Sequence, residues 1–174
     1  MGTRHFIGVK QNREFKVAQY GQWDGYPSGQ GAEVLKFLNG ADLKVFAEKV
    51  SQCIFIDAAN IRQKWIAVGR NPEDTSSFVS IELSDKFAAA YPQLSRDAGA
   101  QVLTMVMESE NGLELCDNSD FLNDGLFCEF AYIIDLDEQK LYCYSCGTEC
   151  KWGEFPLNAV PTRSIREVMP EWID

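Results

Sequence analysis

The chain has 174 residues, 45% hydrophobic and 24% charged, and this size predicts one domain spanning residues 1–174. No apolar run reaches the roughly 18 residues that a membrane-spanning helix needs, and the amino end lacks the order of a signal peptide. We therefore expect a cytoplasmic protein without a membrane anchor. The 26 acidic and 16 basic residues give a net charge of -10, which argues against direct binding to nucleic acid.

The first half of the chain predicts a hairpin followed by helices. Residues 4–10 and 14–20 are rich in β-branched and aromatic side chains and flank three polar residues, which predicts two antiparallel strands. Four glycines and a proline within residues 21–31 predict an irregular loop. Apolar spacing then predicts helices over 32–38, 43–50 and 61–68, followed by a surface connection at 70–77.

The second half predicts further helices and a second hairpin. Ser84 is expected to cap a helix that begins at Asp85 and is interrupted near Pro92, and Ser95 to cap a helix over 97–108. Strands over 129–136 and 140–145 flank a short polar turn, which predicts antiparallel pairing. Antiparallel strands at both ends of the chain around a central helical region indicate an α+β fold.

The loop over residues 19–31 carries the densest group of aromatic and polar side chains. Its rings would stack on a small planar or sugar-bearing ligand, and its amide and acid would supply polar contacts. Arg96, at the start of a predicted helix, would hold a ligand carboxylate or phosphate through two hydrogen bonds. The structural interpretation left open is that the rings pack beneath the loop and that the guanidinium neutralises Asp24 or Asp97. The candidate ligand-binding residues are Gln22, Trp23, Asp24, Tyr26 and Arg96.

A long acidic segment lies between Arg96 and Lys140. It holds eleven acidic residues and no lysine or arginine, which is typical either of a solvated face or of a surface that docks on a basic partner. The candidate partner-binding residues are Asp117, Asp120, Asp124, Asp135, Asp137 and Glu138.

Neither the cysteines nor the single histidine predicts an assembled catalytic centre. Cys143 and Cys146, with Cys150 nearby, resemble half of a zinc knuckle, but the second half is missing, so we predict no cofactor and no metal and keep zinc as an alternative. His5 is predicted to be a surface or hydrogen-bonded strand residue rather than a catalytic base.

Four blocks resemble a family of uncharacterised phage, prophage and bacterial proteins. The blocks cover residues 1–4, 18–31, 95–100 and 126–137. The resemblance implies a phage-encoded accessory protein that works in the host cytoplasm, such as an anti-defence inhibitor, and carries over no established activity.

The start of the chain also resembles, more remotely, the N-terminal-nucleophile hydrolases. In that family a hairpin opens with the nucleophile and an acid follows near an aromatic, and Thr3 and Asp24 occupy those places. The resemblance implies an αββα-like scaffold and, as an alternative activity, an amidohydrolase that uses Thr3. That chemistry needs Thr3 at the start of the mature chain, whereas Gly2 would come first after removal of the initiator methionine.

These observations together favour a non-catalytic acidic protein that acts by binding. We predict either inhibition of a basic host protein, in defence or in nucleic-acid handling, or sequestration of a small nucleotide-like ligand.

Overall fold

A computed structural model describes residues 2–162, and these residues form an α+β fold, as the sequence predicts. The strands are β1 (His5–Gln11), β2 (Glu14–Gly21), β3 (Ile54–Phe55), β4 (Glu114–Leu115), β5 (Phe130–Asp135), β6 (Lys140–Ser145) and β7 (Cys150–Pro156). The helices are α1 (Gln30–Gly40), α2 (Leu43–Ser51), α3 (Ala58–Ala67), α4 (Ile81–Ala90) and α5 (Gln101–Glu108). Within this part of the chain no helix has the length and apolar character that crossing a bilayer requires.

A five-stranded sheet in the order β2-β1-β5-β6-β7 organises the fold. Both predicted hairpins are antiparallel, and they join through a parallel pairing of β1 with β5, in which His5 lies opposite Phe130. Parallel strands begin at the same edge of a sheet, so residues just before β1 and just before β5 meet there. The described residues form this sheet and a small β3–β4 pair, rather than the two stacked sheets of an αββα sandwich.

Alternating side chains give the sheet two buried faces, as the period of two along a strand requires. Ile7, Tyr132 and Ile134 point to one face and pack with α1, α2 and α5 in the main core. Phe6 and Ile133 point to the other face and pack with Leu122 and Cys128 from the segment before β5. Because both faces are covered, β1 and β5 are buried at the centre of the molecule.

Two of the predicted helix starts are wrong. The cap of α4 is Ser80, whose Oγ accepts a hydrogen bond from the Leu83 backbone N–H at 3.3 Å, and Ser84 lies inside the helix. The α5 helix starts only at Gln101, because Gly99 adopts a left-handed φ of 50° that interrupts a helix starting at Asp97. Ser95 instead accepts from the Asp97 N–H at 3.2 Å and closes a turn.

The β1–β2 turn holds two non-glycine residues in the left-handed region. Asn12 has a φ of 57° and Arg13 a φ of 64°, which a tight two-residue hairpin turn demands. The Asp137 carboxylate accepts hydrogen bonds from both of their backbone N–H groups, at 2.9 and 2.7 Å. These two bonds lower the pKa of Asp137 below its ordinary value and tie the turn of one hairpin to that of the other.

Replacing Arg13 with glycine is expected to raise the free energy of unfolding by about 0.5–1 kcal/mol. A non-glycine residue in the left-handed region costs roughly 1–2 kcal/mol, and glycine removes this cost. Glycine also loses more backbone entropy on folding, which offsets part of the gain. Urea unfolding measures the change, and Arg13→Ala is the control, since it removes the same charge and keeps the steric cost. Equal stability of the two variants would contradict the expectation.

Candidate functional site

The loop between β2 and α1 is held against the start of β1 by backbone hydrogen bonds. The Gly25 N–H donates to the Thr3 carbonyl at 3.0 Å, and the buried Tyr132 hydroxyl donates to the Gly25 carbonyl at 2.9 Å. Burial raises the pKa of Tyr132 well above its ordinary value, so this hydroxyl keeps its proton. Asp24, beside Gly25, adopts a left-handed φ of 56°. The loop is therefore a fixed part of the fold.

Trp23 and Tyr26 project from this loop instead of packing beneath it. Each is 52% exposed, which is high for large aromatic side chains. The Trp23 ring lies against the backbone of Gly2, and the Tyr26 ring lies 5.9 Å from that of Phe130. The two rings thus flank the segment that leads into β1.

Two further apolar side chains reach the same edge from the segment before β5. Leu126 is 77% and Phe127 is 47% exposed. The Arg4 guanidinium lies 4.6 Å from the centre of the Phe127 ring, a cation–π contact. We refer to Arg4, Trp23, Tyr26, Leu126 and Phe127 as the edge patch.

Carboxylates border the edge patch. Glu129 accepts a hydrogen bond from the Arg4 backbone N–H at 3.0 Å, and Asp124 accepts from the N–H groups of Leu126 and Phe127 at 3.1 and 2.9 Å. Asp24 is exposed and follows Trp23 in the loop, and its carboxylate lies against Gly29. Glu129 and Asp124 therefore lie next to residues of the edge patch.

The structural interpretation expected Arg96 to pair with Asp24 or Asp97, and it pairs with neither. Its Nη1 donates to the Gln22 Oε1 at 3.4 Å, and it forms no ion pair with any residue from 2 to 162. The Arg96 carbonyl accepts from the Gln22 N–H at 3.3 Å, which fixes the turn that carries Arg96 against the end of β2. Gln22 and Arg96 are therefore brought together.

His5 lies on the first strand, as predicted, but it is buried and not at the surface. It is 1% exposed on the helical side of β1, and neither ring nitrogen has a partner of hydrogen-bonding geometry among the described residues. The ring packs directly on Gly21, and its Cβ faces Gly25. Burial lowers the pKa of His5 to about 4, so the imidazole is neutral at pH 7.

Thr3 and Asp24, the residues of the hydrolase alternative, lie close together through the bond from Gly25 to the Thr3 carbonyl. Thr3 is buried and Asp24 is exposed. A buried hydroxyl is poorly placed to attack a substrate, so this arrangement adds no support to an amidohydrolase.

The six acidic candidates divide into two groups at opposite ends of the central strands. Asp124 borders the edge patch, Asp117 bridges to Ala18 within β2, and Asp120 lies in the segment between them. The other group lies at the β5–β6 turn, roughly 15–20 Å away by the rise of a six-residue strand. Its members are Asp135, which is buried and accepts from the N–H groups of its neighbours, together with Asp137 and Glu138.

The cysteines do not support the zinc alternative. Cys143 points into the main core, where burial raises the pKa of its thiol, whereas Cys146 is exposed in the turn after β6 and Cys150 begins β7. Over residues 2–162 no three His, Cys, Asp or Glu side chains are grouped to hold a metal ion.

Sequence reasoning singled out Trp23 and Tyr26 but missed Arg4, Leu126 and Phe127. The sequence signal for two of them was that Leu126 and Phe127 follow Gly125 shortly before a predicted strand. Only the parallel pairing of β1 with β5 brings these two residues to the loop that carries Trp23.

Comparisons of the chain with models of known protein families, with curated proteins and with solved structures gave no match. The resemblance to the phage and prophage family therefore stays a prediction.

Proposed function

We propose that the protein is a non-catalytic binding protein whose edge patch docks on a basic protein partner. The observation that supports this proposal is the gathering of four exposed apolar side chains and one arginine at a single edge of the sheet. We further propose that the partner is a host protein with a basic groove of the kind that holds nucleic acid, and that docking in the cytoplasm inhibits it.

The composition of the edge patch is that of a protein interface. Trp, Tyr, Phe and Arg are enriched at interface centres and supply most of the residues whose truncation costs binding free energy. A contiguous exposed apolar patch is unfavourable in water and is typical of an interaction site. Half-exposed rings on a loop edge are less suited to enclosing a small ligand, because ligand pockets are concave and bury most of the ligand.

The charge around the edge patch favours a basic partner. Asp124 and Glu129 contact residues of the patch, Asp24 follows Trp23 in the loop, and the whole chain carries a net charge of -10. Opposite charge on a partner speeds the diffusional encounter, and like charge at the rim repels an acidic competitor. Binding should therefore weaken as ionic strength rises.

Selection from a random peptide library displayed against the purified protein tests the proposal. We expect the enriched peptides to combine a large apolar residue with several lysines or arginines. Trp23→Ala and Phe127→Ala are each expected to weaken binding of those peptides at least about tenfold, the loss usual for an interface anchor. Fluorescence anisotropy with labelled peptides, at about 50 and about 300 mM salt, measures the affinities and their salt dependence.

Phe78→Ala is the matched control, because Phe78 is an exposed aromatic on the segment before α4 and outside the edge patch. It should leave peptide affinity unchanged. The proposal fails if the enriched peptides lack basic residues, or if Trp23→Ala and Phe127→Ala bind them as tightly as the unmodified protein.

A further inference from the structure

A separate cleft of about 550 Å³ lies between α4 and the turn that carries Arg96. Its lining includes Trp65 and Phe87, with Phe78 and Ile81 at the α4 side and Arg96 at the other. None of these residues belongs to the edge patch. The volume falls in the range typical of small-molecule sites, about 300–1,000 Å³.

The aromatic part of the cleft has a firm base and an open rim. The ring of Trp65 stacks on that of Phe87 at 3.8 Å between centres and 11° between planes. Phe87 is buried and is packed in turn by Tyr91, at 5.4 Å. Phe78 and Ile81 are by contrast largely exposed, so apolar surface at the mouth of the cleft stands free to cover a ligand ring.

The charged groups of the cleft decide which kind of ligand fits. Arg96, Asp85 and Asp97 all line it, and none of them forms an ion pair with another residue of the described chain. A phosphate dianion would meet two carboxylates for one guanidinium, which disfavours nucleotides. A simple amine would pair with the two carboxylates and leave Arg96 without a partner. A simple carboxylate would pair with Arg96 and leave Asp85 and Asp97 without one.

We propose that this cleft binds a free α-amino acid with an aromatic side chain. Its carboxylate would pair with Arg96 in the two-bond arrangement that a guanidinium favours, its ammonium group would face Asp85 and Asp97, and its ring would lie against Trp65. The proposal does not rest on the edge patch or on the function proposed for it.

Calorimetric titration of the purified protein with L-phenylalanine tests the proposal. We expect saturable binding of one ligand per chain, with a dissociation constant in the range of about 0.1–1 mM. Two analogues serve as probes: 3-phenylpropionate lacks the ammonium group, and phenethylamine lacks the carboxylate. Each is expected to bind at least about fivefold more weakly, since each leaves one side of the charged site unpaired.

Variants assign the two contacts separately. Arg96→Gln should weaken L-phenylalanine without weakening phenethylamine, and the double variant Asp85→Asn, Asp97→Asn should weaken L-phenylalanine without weakening 3-phenylpropionate. Lys86→Gln, which removes an exposed charge on α4 outside the lining, should change neither. Amide NMR shifts on L-phenylalanine addition should include Trp65 and Phe87.

Absence of saturable binding up to about 10 mM L-phenylalanine would overturn the proposal. Equal affinity for the amino acid and both analogues would also overturn it, because the charged groups would then have no role. Far-UV circular dichroism of each variant confirms that a loss of binding is not a loss of fold.

Discussion

Acidification from about pH 7.5 to about pH 5 is expected to lower the free energy of unfolding by roughly 2 kcal/mol through His5 alone. Burial lowers the pKa of this imidazole from 6.5 to about 4, and the nearby Thr3 carbonyl offsets part of that effect. The unfolded chain takes up a proton below pH 6.5, whereas the folded protein resists protonation until about pH 4. The contribution of His5 is therefore fully present above pH 6.5 and is lost progressively as the pH falls toward 4.

Urea unfolding at a series of pH values between about 5 and 7.5 measures this loss, in a window where few other side chains titrate. His5 is the single histidine of the chain, so His5→Leu, of similar volume, should remove most of the pH dependence. Parallel pH curves for the two proteins would show that His5 is hydrated or paired in the folded state. His5 packs on the loop that carries Trp23 and Tyr26, so we expect acid to weaken binding at the edge patch as well.

Replacing Gly21 with alanine is expected to cost about 2–3 kcal/mol, the upper range for overpacking a buried site. A methyl group at Gly21 would overlap the His5 ring, well inside van der Waals contact. Both residues are buried and lie opposite each other across β1 and β2, so backbone pairing limits their separation. Urea or thermal unfolding of the variant measures the cost.

A double variant tests whether the overlap with His5 is the cause. His5→Ala removes the ring that the new methyl group would overlap. The double variant His5→Ala, Gly21→Ala should therefore be more stable than Gly21→Ala alone, whereas additive effects would make it less stable. Gly40→Ala is the control, because a Cβ at the end of α1 meets no other atom, and it should be neutral or slightly stabilising. A Gly21→Ala protein as stable as the unmodified one would refute the argument.

Local patterns predicted most of the elements but not their long-range arrangement. Both hairpins were predicted to within about two residues, since alternation and turn residues lie within one segment. β7 was missed because its short run includes Gly153 and Pro156, which oppose a strand prediction. The parallel pairing of β1 with β5 joins distant segments and leaves no local pattern.

The candidate site was predictable only in part, for the same reason. The glycine-rich loop identified Trp23 and Tyr26, but whether their rings would lie above or beneath it depended on contacts with Gly2 and Phe130. The acidic run indicated a charged surface, yet its residues lie on several elements. Some of them, such as Asp135, accept hydrogen bonds from backbone N–H groups within a turn. Arg96 was identified as a ligand-binding candidate, and the cleft that it lines required α4 to be placed beside it.

The pairing of β1 with β5 sets a condition on biosynthesis. The two strands lie 125 residues apart along the chain, so the amino-terminal hairpin leaves the ribosome long before its central neighbour exists. Until then the backbone N–H and C=O groups on one edge of β1 are unpaired and can bind a strand of another chain, which favours aggregation. A chain that ends before residue 130 lacks the strand that joins the two hairpins, and we expect a pairing of such long sequence separation to slow the folding of the whole sheet.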